Sequence, residues 1–365
     1  MSDEATLWRY VDSLRQDYRD LQDQPTVYDH PPTSLEAMRM IYRAHPALIR
    51  GCGSDVMLGA SEDWDAPETY ERVAGDRVVT IAITDDGLAD SVRVSEDGST
   101  MFVKALDEQL QMATFLARLR DADDPEVLYL QSQDGNVFRS EPRAPGEEPE
   151  LAMFQRHIQR DVAWMHEATG ATAEAVNLWI GSSRSTTSFH HDPYENIYHV
   201  LSGSKTFTLL SPIEGLWLDQ QFHPSATLQR TPSGLKPIPD PPPSPPIPWV
   251  ASPTLPRNAR AIIVSVRAGE SLYLPAGWWH QVEQSPGREG LAVAVNYWYP
   301  AEIHAERYAY ERFSHRVARA AGMNGVILPP GDEEEEEAEE ADADVGDVWG
   351  SEGSGEEWDP REWGR

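Results

Sequence analysis

The middle of the chain carries Thr187-Ser188-Phe189-His190-His191-Asp192-Pro193-Tyr194-Glu195-Asn196, a run with the β-rich character of a strand. Side chains two positions apart on a strand project from the same face, whereas neighbours project from opposite faces. His190 and Asp192 are therefore predicted to share one face, and His191 to point away from them. An imidazole and a carboxylate on one face are two ligands of a candidate metal site.

A second run supplies a candidate third ligand. Residues 269–280 read as a strand and a turn, and they end in Trp278-Trp279-His280 between β-type segments. Two neutral imidazoles and one carboxylate can hold a divalent metal on one side and leave the opposite positions open, as in non-haem Fe(II) oxygenases. A His-x-Asp pair recurs by chance, so the prediction depends on His280 and on the surrounding strands.

The region from 175 to 298 has the character of strands and turns, with no convincing helix. Ser202-Gly203-Ser204 is predicted to be a hairpin turn between two of the strands. Many short strands at close spacing favour a jelly-roll or a barrel, so the fold class is mainly β with flanking helices. The predicted strands are 175–180, 197–201, 205–210, 261–266, 271–274 and 291–298.

The flanking regions divide the chain into three parts. Residues 1–35 are predicted to be a helix and linker, residues 36–322 one large domain, and residues 323–365 a disordered acidic tail. Within the domain, further strands are predicted at 45–51, 77–84 and 127–131, and helices at 106–120, 151–168 and 301–321. Residues 231–256 hold eleven prolines, which cannot serve in a sheet interior, so they are predicted to form an extended surface insertion.

The chain of 365 residues has a net charge of −31, and nearly half of it lies in residues 331–365, where 16 acidic residues face two arginines. The rest is also acidic. Binding of nucleic acid through phosphate contacts is therefore disfavoured, whereas a cationic protein substrate would be attracted. A single cysteine excludes internal disulfides, and no targeting or membrane-spanning segment is recognised. We expect a protein of the cytosol, or also of the nucleus, that does not insert into a membrane.

Lys205 lies in an apolar predicted strand, and a lysine is seldom buried there without an anionic partner. Either its stem packs and its ammonium group reaches solvent, or it binds a carboxylate of a small diacid beside the metal. Tyr129, Thr187 and Asn196 could add hydrogen bonds, although each alone is more simply structural. Trp298 is read as core and pocket wall.

These residues together resemble the JmjC hydroxylases of the cupin-8 type. The resemblance rests on Thr187-x-x-His190-x-Asp192, followed by Asn196 and Lys205, and on the segments 272–280 and 295–299. It extends to 79–92, 127–131 and 175–181, and it covers roughly residues 30–310. The proline-rich insertion and the acidic tail fall outside it.

The resemblance implies a double-stranded β-helix that uses Fe(II), 2-oxoglutarate as co-substrate and O2. It implies Fe(II) ligation by His190, Asp192 and His280, and binding of the distal carboxylate by Lys205 with Tyr129 and Thr187. It also implies contact with the chelating end by Asn196 and Asn296, and substrate contact by Gln131. Trp298, as a pocket wall, is predicted to contact the substrate as well. The implied activity is (3S)-hydroxylation of a lysyl residue in a protein substrate, a developmentally regulated GTP-binding protein of the TRAFAC class.

Other activities stay open at this point. Histone lysine demethylation uses the same cofactors, and a histone-tail peptidase would use a metal-activated water without needing Lys205. Hydroxylation of a tRNA nucleoside is disfavoured by the acidic charge. A binding protein without activity would leave the metal and co-substrate residues unexplained. A homodimer through the C-terminal helix is also expected.

Overall fold

The computed structural model describes residues 3–21, 23–58, 62–95, 98–142, 144–251, 254–256, 259–302 and 305–327. This part of the chain contains 21 strands, eight α-helices and a 3-10 helix (Ala152–Arg156). The α-helices are α1 (Asp3–Leu21), α2 (Ser34–Arg43), α3 (Gly53–Val56), α4 (Pro67–Ala74), α5 (Met112–Arg120), α6 (Ala163–Thr169), α7 (Pro212–Gly215) and α8 (Ala305–Ala320). The strands are β1 (Thr26–Tyr28), β2 (Ala47–Arg50), β3 (Val78–Thr84), β4 (Leu88–Ala89), β5 (Ser91–Val94), β6 (Thr100–Lys104), β7 (Leu106–Gln111), β8 (Val127–Tyr129), β9 (Phe138–Arg139), β10 (Ala175–Gly181), β11 (Thr186–His190), β12 (Tyr194–Ser202), β13 (Ser204–Leu210), β14 (Gln220–His223), β15 (Ser225–Thr231), β16 (Gly234–Pro239), β17 (Ile247–Val250), β18 (Ile262–Arg267), β19 (Glu270–Leu274), β20 (Trp279–Ser285) and β21 (Ala292–Pro300).

Two sheets form the jelly-roll core, which confirms the predicted fold class. The seven-stranded sheet has the order β1-β2-β19-β12-β21-β10-β9, and the five-stranded sheet has the order β18-β13-β20-β11-β4. The prediction of a hairpin at Gly203 is wrong. β12 pairs with β19 and β21, whereas β13 pairs with β18 and β20, so the turn at Gly203 carries the chain from one sheet to the other.

The seven-stranded sheet is buried on both faces, which explains why its central strands read as nearly continuous apolar runs. All of β21 from Ala292 to Tyr299 is buried. On one face, Ile197 and Tyr297 join a large cluster with residues of α2, α4, α5 and α6. On the other face, Tyr198 and Ala294 join a smaller cluster with Phe207 and other side chains of the five-stranded sheet. The space between the sheets is where the site lies.

Two predicted helices are shorter than expected. Residues 106–111 form β7, which pairs with β3, and only residues 112–120 are helical. Residues 106–111 alternate between half-buried and exposed side chains, which is the period of a strand. Pairing with β3 therefore decided their structure. Residues 151–168 divide into the 3-10 helix and α6, separated by a β-bridge between Ile158 and Met57. The four-residue helix α7 lies within the region where no helix was predicted.

The helices at the two ends of the chain pack together. α1 lies against α7 and α8, where Arg15 and Arg19 pair with the buried carboxylate of Glu214. Tyr18 of the same helix contacts Trp278, with ring centroids 6.3 Å apart. α8 confirms the predicted C-terminal helix. The predicted tail lies outside the described residues from 328 onwards, and no described helix has the length and apolar character of a membrane span.

The proline-rich insertion is more ordered than the predicted extended loop. Residues 234–239 form β16, the edge strand of a four-stranded sheet of order β16-β15-β6-β5. Residues 247–250 form β17, which pairs only with β14 among the described strands. Prolines are tolerated in both because such strands keep one side free of ladder hydrogen bonds. The insertion therefore brings two strands to the outside of the core.

Candidate metal centre

A β-bulge in β11 shapes the site. In the antiparallel ladder with β20, Thr187 lies opposite Val282 and His190 lies opposite His280, with a register shift between them. Three steps along β11 therefore match two steps along β20, so Thr187 and His190 face the same side of the sheet. In a regular strand a spacing of three would place them on opposite faces.

The strand predicted to run through Asp192 ends at His190, and Asp192 lies in the connection to β12. The backbone N–H of Gly277 donates a 2.8 Å hydrogen bond to the carbonyl of Asp192. Gly277 has a φ of 78°, a left-handed conformation that favours glycine. This turn precedes His280, and it therefore holds the loop of one ligand beside the strand of another.

The structure brings His190, Asp192 and His280 together. One nitrogen of each imidazole and one carboxylate oxygen all lie within 4.8 Å of one another. The Oδ1 atom of Asp192 is 3.9 Å from Nε2 of His190, and its Oδ2 atom is 3.6 Å from Nε2 of His280. This donor set, two imidazoles and one carboxylate on one side of the site, fits a divalent metal with open positions.

Both imidazoles are oriented by the main chain. Nδ1 of His190 is 2.9 Å from the carbonyl oxygen of Ser188, and Nδ1 of His280 is 2.9 Å from that of Trp278. A carbonyl accepts, so each Nδ1 carries the proton and each Nε2 keeps its lone pair for a metal. Burial also lowers the pKa of His280 well below its ordinary value, which favours the neutral ligand form.

His191 does not join this group. Its exposed side chain packs edge-on against Trp279, with ring centroids 4.5 Å apart. The histidine pair at 190 and 191 is thus divided between the site and the surface.

Lys205 is fully buried, so the reading in which its ammonium group reaches solvent is wrong. Nζ donates to the hydroxyl of Tyr129 at 3.3 Å and to Oε1 of Gln284 in a close contact. Both partners of Nζ are neutral, and burial lowers the pKa of Lys205 to about 7. A bound carboxylate would offset the cost of burying this charge.

Gln284 is a site residue that the sequence analysis missed. Its Nε2 donates to the hydroxyl of Ser185 at 2.7 Å, which turns Oε1 toward Lys205. Its position in the sequence could have identified it, because Gln284 lies four residues after His280 on the same strand and alternate side chains of a strand share a face.

The register of the strands fixes the order of the site residues along the five-stranded sheet. His280 lies opposite Leu209, and Gln284 lies opposite Lys205, with Val282 and Phe207 between these rungs. Thr187 extends the middle rung, since it lies opposite Val282. Thr187 is therefore placed between the three candidate ligands and Lys205.

The facing sheet carries a chain of amides. Nδ2 of Asn296 donates to Oδ1 of Asn196 at 3.2 Å, and Oδ1 of Asn296 accepts from Nδ2 of Asn177 at 3.2 Å and from Nε1 of Trp179 at 2.9 Å. These contacts fix the orientation of the Asn296 amide. Asn177 and Trp179 were not among the predicted site residues, although both lie in a segment that carries the family resemblance.

Trp298 lies opposite Asn196 in the same sheet and stacks on Tyr194, with ring centroids 5.2 Å apart. It is 7% exposed, and its Nε1–H has no hydrogen-bond partner among the described residues. A buried donor without a partner is costly, so this indole group suits a bound acceptor.

Gln131 is not part of the metal group. It lies in a cleft of about 810 Å³ that also includes Asp90. The cleft adjoins β11, because the hydroxyl of Ser188 donates to the carbonyl of Asp90 at 2.6 Å. Its charged lining residues are six carboxylates and two cations, namely Asp90, Asp107, Asp134, Glu147, Glu148, Glu150, Lys104 and Arg139.

Comparisons with known proteins agree with this architecture. A family model described as "Cupin-like domain" matches residues 32–305. The human "Bifunctional peptidase and (3S)-lysyl hydroxylase JMJD7" is 33% identical over 307 residues, which cover 81% of this chain and 90% of that protein. The "Lysine-specific demethylase JMJ32" of Arabidopsis thaliana is 31% identical over 360 residues, 93% of this chain and 97% of that protein. The "JmjC domain-containing protein E" of Dictyostelium discoideum is 28% identical over 354 residues, 86% and 95% of the two chains.

The family match spans all three candidate ligands and Lys205, and the similarity to these relatives runs over most of each chain. The sequence resemblance is thereby confirmed. The chain belongs to the cupin-like JmjC family of Fe(II)- and 2-oxoglutarate-dependent oxygenases.

Proposed function

We propose that this oxygenase hydroxylates a lysyl side chain of a protein substrate, a developmentally regulated GTP-binding protein of the TRAFAC class. The observation that carries the choice of a cationic side chain is the acidic cleft beside β11. The similarity to the human protein named as a (3S)-lysyl hydroxylase supports the same reaction. The acidic charge of the chain as a whole favours encounter with a basic partner.

In this proposal His190, Asp192 and His280 hold Fe(II), and Lys205 pairs with the distal carboxylate of 2-oxoglutarate. The neutral partners of Lys205 hold its ammonium group in place before the co-substrate binds, so little reorganisation is needed. Thr187 and Tyr129 contribute hydroxyl groups on the Lys205 side. Fe(II), 2-oxoglutarate and O2, when bound, supply the oxidising chemistry that puts a hydroxyl group on a substrate C–H bond.

The residues of the other sheet are assigned to the opposite side of the site. Asn196 and Asn296 offer amide groups for the chelating end of the co-substrate, within the chain of hydrogen bonds from Asn177 and Trp179. The unpartnered Nε1–H of Trp298 offers a donor to a bound acceptor. The apolar walls of the site exclude water from the reacting groups.

The cleft is suited to a basic peptide because several of its carboxylates are not neutralised by its own cations. Arg139 pairs with Asp134 and Glu147, at 3.5 and 3.6 Å. Lys104 pairs with Asp240 at 2.8 Å, outside the cleft lining. Burial raises the pKa of Asp90, so a nearby substrate cation would stabilise its ionised form.

The test is mass spectrometry of a lysine-containing peptide from the proposed GTP-binding protein, incubated with enzyme, Fe(II), ascorbate and 2-oxoglutarate. We expect one oxygen atom to be added to the lysine, only with 2-oxoglutarate and not with Asp192→Ala. An unmodified lysine, with 2-oxoglutarate still consumed, would contradict the proposed substrate. Lack of both reactions in protein that is folded and loaded with Fe(II) would contradict an active oxygenase.

Demethylation is a second candidate, because the Arabidopsis relative is named as a lysine-specific demethylase. The same assay on an Nε-methyl-lysine peptide distinguishes it by release of formaldehyde. Peptidase activity, which the name of the human relative includes, would give cleaved peptide without a need for 2-oxoglutarate.

The role of the cleft can be tested by charge removal. Glu147 and Glu148 are exposed at its edge, and the double variant Glu147→Gln/Glu148→Gln should raise the KM for a basic peptide, most strongly at low salt. The matched control is Glu68→Gln/Glu71→Gln, which removes two exposed carboxylates from α4. Equal KM values for the two double variants would contradict recognition by the cleft.

Location in the cytosol or nucleus and formation of a homodimer through α8 remain predictions of the sequence.

A further inference from the structure

The proline-rich insertion reaches the candidate metal centre through one side chain. Trp249, in β17, lies parallel to the ring of His190, with ring centroids 6.1 Å apart and an interplanar angle of 8°. This offset parallel arrangement is one of the favourable geometries of aromatic pairs. The sequence gives no sign of the contact, because 59 positions of chain and a change of sheet separate the two residues.

Trp249 is held in place from two further directions. Its Nε1–H donates to the hydroxyl of Ser188 at 3.1 Å, and that hydroxyl donates to the carbonyl of Asp90 at 2.6 Å. The ring of Phe102 packs against the indole with ring centroids 4.8 Å apart. β17 itself pairs with β14, which anchors the backbone of the insertion. The indole group is therefore a fixed wall and not a freely moving surface side chain.

Ser188 links the two contacts. Its side chain accepts from Trp249, while its carbonyl accepts from Nδ1 of His190. Trp249 thus touches the ring of His190 and also the residue that sets the direction of that ring. His190 has a greater need of such support than His280, because its side chain is 18% exposed and that of His280 is 5% exposed.

We propose that Trp249 is a positioning residue of the metal centre, through which the proline-rich insertion holds the imidazole of His190 in its ligand orientation. The inference rests on the proposed role of His190 as a metal ligand. A ligand that must be ordered when the metal binds costs rotamer entropy, whereas a ligand held beforehand does not. Residues that orient a metal ligand typically change metal affinity by about 10- to 100-fold when they are removed.

The experiment is a titration of the metal-free protein with Co(II), a spectroscopically visible substitute for Fe(II). Trp249→Ala should bind Co(II) about tenfold more weakly than the unmodified protein and change the ligand-field absorption bands. Trp249→Phe keeps a flat ring beside His190 and should bind nearly as well as the unmodified protein. The matched control is Trp217→Ala, since Trp217 is also half-buried but packs under Arg15, in the cluster of terminal helices.

Thermal unfolding of each metal-free variant shows whether it folds, and Trp249→Leu replaces Trp249→Ala if the alanine variant does not. Unchanged Co(II) affinity and spectrum in the variant that lacks the ring would overturn the inference. So would equal weakening by Trp217→Ala, because that would indicate general destabilisation. Failure of the unmodified protein to bind Co(II) would instead count against the proposed metal centre itself.

Discussion

The hydroxyl of Tyr129 accepts a 3.3 Å hydrogen bond from Nζ of Lys205, which lies 76 residues further along the chain. Together with Gln284, it surrounds a fully buried ammonium group with neutral acceptors. The cost of this buried charge has measurable consequences for pH dependence and for co-substrate binding.

Burial lowers the pKa of Lys205 to about 7, from an ordinary value of 10.5. Between these two values the unfolded chain binds more protons than the folded protein, so the stability of the metal-free and co-substrate-free protein should rise with pH across this window. The penalty is fully present below about pH 7 and absent above about pH 10.5. Lys205→Met should remove this part of the pH dependence, as measured by urea unfolding between pH 7 and 10.

The control for this experiment is Lys236→Met, which removes an exposed lysine of β16. It should leave the pH dependence as it is.

Lys205→Met should also weaken 2-oxoglutarate binding by roughly 10- to 100-fold, because a charge-assisted hydrogen bond contributes about 1.5–3 kcal/mol. If Lys205→Met bound 2-oxoglutarate as tightly as the unmodified protein does, the assignment of Lys205 to the co-substrate site would be wrong.

Gly181 is required by the close packing around Lys205. A Cβ atom at this position would lie 2.6 Å from Nε2 of Gln284 and 2.7 Å from Cδ2 of Tyr129. Gly181→Ala should therefore displace both partners of Lys205, reduce stability by about 1–3 kcal/mol and weaken 2-oxoglutarate binding, while Co(II) binding persists. Calorimetric titration with each ligand measures the two effects separately.

Gly53→Ala is the matched control, since a Cβ atom there meets nothing within 4 Å and the residue lies in α3. It should leave both titrations unchanged. A Gly181→Ala protein with unmodified 2-oxoglutarate affinity would show that the Lys205 pocket adapts to the added methyl group.

The adjacent histidines offer a paired test of the metal site. His190→Ala should abolish Co(II) binding and activity, because it removes one of three ligands that converge within 4.8 Å. His191→Ala, at the next position but packed on Trp279, should retain both. Absorption spectra during Co(II) titration make the comparison, and loss of binding in both variants would argue against the assignment of the ligand to His190 alone.

The N-terminal helix should contribute measurably to stability. Glu214→Gln removes a carboxylate that is 1% exposed and pairs with Arg15 and Arg19, and breaking a buried pair in this way costs about 3 kcal/mol or more. Urea unfolding measures the change. Asp29→Asn, which removes the exposed partner of Arg50, should cost less than about 1 kcal/mol. Equal effects would mean that α1 is not held by this ion pair.

Much of the site could be read from local patterns. The His190, Asp192 and His280 set followed from residue types and their spacing, although Asp192 lies in a loop beyond β11 and not on the predicted strand. A carboxylate-binding Lys205 was one of two interpretations of its apolar strand. The double-stranded β-helix, the role of Lys205 and the roles of Asn196 and Asn296 came from the family resemblance. Local patterns were weaker for the helices, since residues 106–111 joined β7 once β3 supplied a partner.

The amino-acid sequence by itself determined which side chains are available, which segments favour strands and where the charge lies. Only the tertiary structure decided that a bulge turns Thr187 to the side of His190, that Gln284 faces Lys205, that Gly203 joins two sheets, and that Trp249 stacks on His190. The physical reason is the range of the interactions involved. Propensity and periodicity act over a few residues, whereas bulges, strand partners and side-chain stacking depend on contacts between segments that are distant in the chain.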